Sequence, residues 1–303
     1  MDQLHTMRVF VAVAECRGFA KAARQLGISR AAVTRAVSTL ERSLGVELLS
    51  RTSRAVSPTE VGASYLVDCR RILADVDESH AAAAGAHARP TGTLRITSSV
   101  LFGQLYVLPI LTDYLDAYPE VRAQALFVDR VTNMVAEGID VAVRLGQLPD
   151  SSLMATRVGR VRRLICASPA YLERHGTPRR PEDLAEHRVV VGGGEGERVE
   201  WHLGTEEGAG EERIVRVRPR LACSTNHAAI AAATSGWGLT RVLSYQVGEA
   251  LEQGRLVAVL EDCEPAPIPV HIVYPGGRHA PAKVRAFVEL AAPRLREDPR
   301  LRG

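Results

Sequence analysis

Five residues in one short stretch, Arg30, Ala31, Thr34, Arg35 and Ser38, have the types that read the edges of base pairs. Arginine can donate a pair of hydrogen bonds to guanine, and alanine or the threonine methyl packs on the methyl of thymine. With Val33 and Ala36 turned inward, a helix over this stretch presents all five on its opposite face. Arg51, Thr52 and Arg54 follow in a polar turn, as types suited to phosphate or minor-groove contacts. The competing reading of each is a solvated helix face or turn in an arginine-rich chain.

Catalytic chemistry has less to build on. The run GGGEGE at 192–197 suggests a phosphate loop, but no G-K-[ST] follows it and no helix opens after it, which favours a surface turn. There is no G-x-S-x-G elbow and no H-E-x-x-H, and the carboxylates form no evident pair. The nine histidines lack metal-ligand spacing. Cys16, Cys69, Cys166, Cys223 and Cys263 form no C-x-x-C and read as small apolar residues in a reducing compartment. No catalytic residue, metal or cofactor is expected.

The base-reading residues need a rigid mount. Leu4, Met7, Val11 and Ala14 fall at helical spacing, and Gly18 is the expected stop. A second short helix covers 19–26 and stops at Gly27. Ser29 is a good N-cap for a third helix running to about Leu44, before Gly45. Ala23 is small where two helices would touch, Gly27 tolerates a left-handed turn four residues later, and Ala22, Leu26, Ile28, Val33 and Ala36 supply the packing. That is the pattern of a helix-turn-helix. The segment VELLSRTSRAVSPT then reads as a small hairpin or wing.

Charge agrees with this placement. The whole chain of 303 residues is only +3, yet residues 1–65 carry nine Lys/Arg against five Asp/Glu. The remainder carries twenty-nine against thirty, so a basic head sits on a nearly neutral body. No apolar run approaches the roughly 20 residues a membrane helix needs, and the N-terminus shows no export signal, so a cytoplasmic location is expected.

From Pro58 and Thr59 a long helix is expected, with Val61, Tyr65, Cys69, Ile72, Leu73 and Val76 as its apolar stripe. Lying outside any core, that stripe would pair with a second copy of itself. Residues 89–92 form the best boundary. Beyond them strands alternate with helices: TLRITSS, a helix through Leu101–Ala117, RAQALFV, a short helix over Val131–Glu137, IDVAVRL and RRLICAS. PRLACS, a helix over 226–235, GLTRVL, RLVAVL, PVHIVYP and a last helix over 280–295 complete the series. This alternation predicts a mainly parallel, doubly wound sheet. Ligands of such sheets bind at the carboxyl ends of strands. The candidates by that rule are Ser98, Ser99, Val128, Arg144, Thr225 and Asn226, with Phe102 and Trp201 as apolar walls or core.

Residues 7–62, MRVFVAVAECRGFAKAARQLGISRAAVTRAVSTLERSLGVELLSRTSRAVSPTEVG, resemble the N-terminal signature of the LysR-type regulators. GTLRITSS, YPEV, EGIDVAVRLG, CASPAYLERHG and SGWGLTRVL are similar to landmarks of that family's effector domain, so the resemblance spans the chain. Arg30 and Ala31 stand where many members have glutamine and proline, which leaves the base preference open but not the role, and Leu49 stands where phenylalanine is common. The resemblance implies a winged helix-turn-helix at 1–58 and a linker helix for dimerisation at 59–88. It implies a periplasmic-binding-protein-like α/β domain at 89–303, with one subdomain at about 92–162 and 267–295 and the other at about 163–266. The implied partners are double-stranded DNA, a small-molecule effector between the subdomains, RNA polymerase and further copies of the chain as dimer or tetramer. A solute-binding protein or enzyme would explain the body but not the first ninety residues.

Overall fold

The computed structural model describes residues 2–51, 56–83, 89–148, 153–193, 198–204, 212–275 and 280–302. The head begins with α1 (Gln3–Cys16), capped by the Asp2 carboxylate, which accepts the Leu4 N–H at 3.0 Å. Arg17, not Gly18, takes the left-handed conformation that ends α1, at φ 49°. α2 (Phe19–Leu26) stops at Gly27, whose φ of 66° is the left-handed turn that lets the next helix cross. α3 (Arg30–Leu44) follows, with the Ser29 Oγ accepting the Ala32 N–H at 3.1 Å. Phe10, Ala22, Val33, Val37 and Leu40 form one core shared by the three helices. Each large side chain there contributes about 1.5–3 kcal/mol by leaving water. Leu26 departs from expectation: it lies at the rim of this core and is 36% exposed.

β1 (Leu49–Arg51) and β2 (Val56–Pro58) pair antiparallel as the wing. The Glu41 carboxylate of α3 accepts the N–H groups of Leu48 and Leu49 at 3.0 and 3.2 Å, fixing the wing's base to the third helix. α4 (Glu60–Ala83) then leaves the head. Its stripe is not the free face the spacing suggested. Cys69 and Leu73 are buried in the head's own core, Tyr65 and Ile72 pack against it, and Val61 is exposed. Intramolecular packing on α1 takes that side, because the first turns of α4 run back along α1 before the helix departs.

The body holds two five-stranded sheets. The first comes from β3 (Gly92–Ser98), the helical run α5 (Val100–Phe102), a π turn (Gly103–Val107) and α6 (Leu108–Ala117), then β4 (Val121–Phe127), β5 (Val141–Leu145) and β6 (Leu153–Val161). The second uses β7 (Arg163–Ala167), α7 (Pro169–His175), β8 (Val189–Val191), the antiparallel pair β9 (Val199–Gly204) and β10 (Glu212–Val217), β11 (Leu221–Ala222), α8 (Asn226–Thr234), β12 (Leu239–Leu243), α9 (Ser244–Glu252) and β13 (Val257–Val259). The chain then returns through β14 (Ile268–Pro275) and α10 (Ala282–Glu297) to the first.

Strand orders are β4-β3-β5-β14-β6 and β11-β8-β12-β7-β13. Neither sheet is mainly parallel. β3 runs parallel to β4 and β5, whereas the returning β14 inserts antiparallel between β5 and β6. In the second sheet β8 is parallel to β11 and β12, and β7 is antiparallel to β12 and β13. The double crossing of the chain between the sheets produces this mixture. The expected helix over 131–137 is a series of turns instead. The Asn133 carboxamide takes the N–H groups of Val135 and Ala136 at 3.1 Å each, and Gly138 turns the chain at φ 62°.

Head and body meet through charge. Arg70 of α4 donates to the Glu15 carboxylate of α1 at 2.8 Å, and Arg95 of β3 approaches the same oxygen at 3.8 Å.

Candidate nucleic-acid interface and ligand cleft

On α3 the buried side is Val33, Ala36, Val37 and Leu40. The opposite side leaves Arg30, Ala31 and Arg35 exposed and Thr34 and Ser38 half-buried. The Thr34 hydroxyl donates to the Arg30 carbonyl at 3.0 Å, so its methyl is the group left to meet a base. Arg51 ends β1 with its backbone paired to Val56. Thr52 and Arg54 lie outside the described residues, as does the Arg51 side chain. The described part of this surface is a basic helix face on a three-helix mount.

The body's cleft, of about 240 Å³, opens between the two sheets' helices. One wall is Val100, Leu101, Gln104 and Asp129; the other is Thr225, Asn226, His227 and Gln246. The first wall depends on a wide helical turn. Pro109 lacks the N–H that an unbroken helix would send back toward residue 105, and the π turn over Gly103–Val107 lies where that bond is missing. Gly103 is required there, since a Cβ would meet the Phe127 ring at 2.4 Å. At the cleft mouth the Asp129 Oδ1 accepts the Val100 N–H at 3.0 Å and so occupies the first turn of α5. Across the cleft the Thr225 Oγ1 accepts the Ala228 N–H at 3.3 Å and caps α8.

The strand-end rule thus picked residues with different fates. Thr225 and Asn226 line the cleft. Ser99 stands beside it, 3.4 Å from the Tyr245 hydroxyl, joining the two halves of the body. Burial raises the Tyr245 phenol above its ordinary value, so it stays a neutral donor. Ser98 is 4% exposed, and its Oγ has no hydrogen-bond partner among the described residues. Val128 belongs to the sheet: its N–H donates to the Ser98 carbonyl at 2.9 Å, and it is the next residue, Asp129, that reaches the cleft.

Three candidates belong elsewhere. Arg144 donates to the carbonyl and, at 2.9 Å, the hydroxyl of Thr132, bracing the 129–138 turns rather than facing a ligand. Phe102 is fully buried, stacked 4.8 Å from Tyr106 and edge-on to Tyr245, because the helical turn aims it at the first sheet. Trp201 is core in the second half, under the Arg241 guanidinium. Asp129, Gln104, His227 and Gln246 were missed. Asp129 lay one residue past a candidate; the other three sit in helices whose approach to the cleft is a long-range matter.

A winged helix-turn-helix joined through a long helix to a two-sheet body is the architecture of a DNA-binding regulator. Residues 4–63 match the family described as "Bacterial regulatory helix-turn-helix protein, lysR family", and 87–296 match "LysR substrate binding domain". The chain is 34% identical over 303 residues to an HTH-type transcriptional repressor of Pseudomonas aeruginosa, covering 99% of this chain and 95% of the relative. Among solved structures it resembles AphB, the Vibrio cholerae virulence activator, at TM-score 0.61 and 27% identity over 96% of this chain and 98% of the other. It also resembles CrgA of Neisseria meningitidis at TM-score 0.60 and 28% identity, with the same coverage. The chain belongs to the LysR-type transcriptional regulators, a family of regulators rather than enzymes.

Proposed function

We propose that this protein binds specific duplex DNA through α3 and its wing, and that a small molecule in the body's cleft modulates its action on transcription. The observation that carries the reading is the third helix, buried by Val33, Ala36, Val37 and Leu40 and open along Arg30, Ala31, Thr34, Arg35 and Ser38. An α-helix so mounted fits the major groove, with Arg51, Thr52 and Arg54 of the wing toward the backbone or minor groove. Two copies pair through the side of α4 that its own head leaves uncovered, and pairing of bodies gives a tetramer, which sets half-site spacing. The effector contacts are Thr225 and Asn226 with Ser98 and Ser99 behind them. A ligand preferring one closure of the cleft shifts the population of body orientations and thereby contact with DNA or RNA polymerase. Its setting is the cytoplasm; no helix among the described residues is long and apolar enough to cross a membrane.

A mobility-shift assay on DNA upstream of the gene, against excess random duplex, tests the DNA reading. A retarded complex that survives competitor is expected; equal loss on all sequences refutes specific readout. Ser99→Ala combined with Thr225→Ala is expected to abolish the effector's influence on transcription and to spare DNA binding.

A further inference from the structure

Resting on the cleft as the effector site, we propose that it selects a solute carrying a protonated amine and rejects simple carboxylates. On the α5 side of the cleft the first helical turn, where backbone N–H groups would otherwise favour an anion, already carries a carboxylate: Asp129 accepts the Val100 N–H at 3.0 Å, while across the cleft the Thr225 hydroxyl caps α8 by accepting the Ala228 N–H at 3.3 Å. Asp129 also lines the cleft, and it is the one carboxylate that does so among the described residues. Among the described residues no arginine or lysine joins it there, and the other titratable side chain of the lining is His227 on the opposite wall. Arg144 is spent on Thr132, and Arg130 is held by both oxygens of Glu137 at 2.8–2.9 Å. A carboxylate ligand would therefore enter beside a fixed negative charge, with no guanidinium or ammonium among the described lining residues to offset it. An ammonium would meet one accepting carboxylate oxygen, while Gln104 and Gln246 and the Asn226 carboxamide serve the neutral polar parts of the ligand. The cleft's 240 Å³ suits a small metabolite rather than a cofactor.

The test uses the full-length protein and three matched probes, n-butylamine, n-butanol and butyrate, at equal millimolar concentration, with saturation-transfer NMR as the readout. Two variants accompany it. Asp129→Asn keeps an oxygen for the Val100 N–H and removes only the charge; Gln104→Trp fills the cleft from an exposed helix position. The amine is expected to give a signal at least about fivefold that of butyrate. That ratio falls toward one in D129N, and all signals are lost in Q104W. An amine signal below that ratio, including no signal, or a preference unchanged in D129N, overturns the charge selection. If Q104W abolishes the signals while butyrate matches the amine, the cleft still stands as the binding site. If the signals ignore Q104W, the cleft reading itself fails and the selection fails with it.

Discussion

Removing the charge of Asp140 or Lys283 should loosen the frame that holds the cleft's first wall, and the size of the effect can be worked from geometry. The Lys283 Nζ of α10 lies 2.8 Å from Asp140 Oδ2, with side chains only 16% and 22% exposed. The same oxygen accepts the Arg95 N–H at 2.7 Å, and the ammonium also donates to the Thr93 carbonyl. The pair therefore joins β3, β5 and α10 at one point, upstream on the strand that ends at Ser98. At that distance, with an effective dielectric of about 20, two unit charges attract by about 6 kcal/mol. Desolvating both ions takes back several kcal/mol, which leaves a net coupling of about 1–3 kcal/mol. Asp140→Asn alone strands a half-buried ammonium and is expected to cost about 2–4 kcal/mol. Lys283→Met with Asp140→Asn should cost less than the sum of the single changes. Native-state hydrogen exchange of the β3 and β5 amides reads these energies locally. Single changes that add to within about 0.5 kcal/mol would show that the two groups do not act as a pair.

Arg35→Ala should weaken binding to the cognate site by about 1–3 kcal/mol and relax base preference, measured by titration against matched and mutated duplexes; uniform loss marks a phosphate contact instead. Leu40→Ala, at a site 1% exposed in the head's core, should cost about 2–5 kcal/mol and expose the α1–α3 amides to exchange, and a near-neutral result would mean the head repacks. Gly103→Ala drives a methyl into Phe127 and should cost about 1–3 kcal/mol in denaturant unfolding of the body. His187 is held below its ordinary 6.5 by burial first and by His175 next, and its Nδ1 lies 3.1 Å from the Tyr171 hydroxyl. The unfolded chain then binds a proton that the folded one declines, so stability falls as pH drops below about 6.5. His187→Gln should flatten that limb of the stability–pH curve, and an unaltered slope would assign the acid sensitivity elsewhere.

The head was legible residue by residue because its signals are local. Ser29 caps, Gly27 turns and Val33 and Ala36 face inward within one or two helical turns, and the structure places them so. Leu26 strayed because the rim of a small core is decided by neighbours on other helices. The α4 stripe showed that apolar spacing reveals that a side will be covered, not by what. Cys69 and Leu73 turn into their own head.

In the body, sequence alone determined that strands alternate with helices and roughly where strands such as β3, β5 and β14 end, since hydrophobic runs and glycine stops are carried by adjacent residues. The three-residue β8, buried at every position, is too short to show a period, and the β9–β10 hairpin was not singled out although β9 alternates buried and more exposed positions. Which strand lies beside which, that β14 comes back antiparallel, that Phe102 points into the sheet and that Asp129 meets Gln246 across a cleft were decided by tertiary structure. Those are contacts between residues up to well over a hundred positions apart. Their free energy depends on packing and charge that no local pattern in the chain encodes.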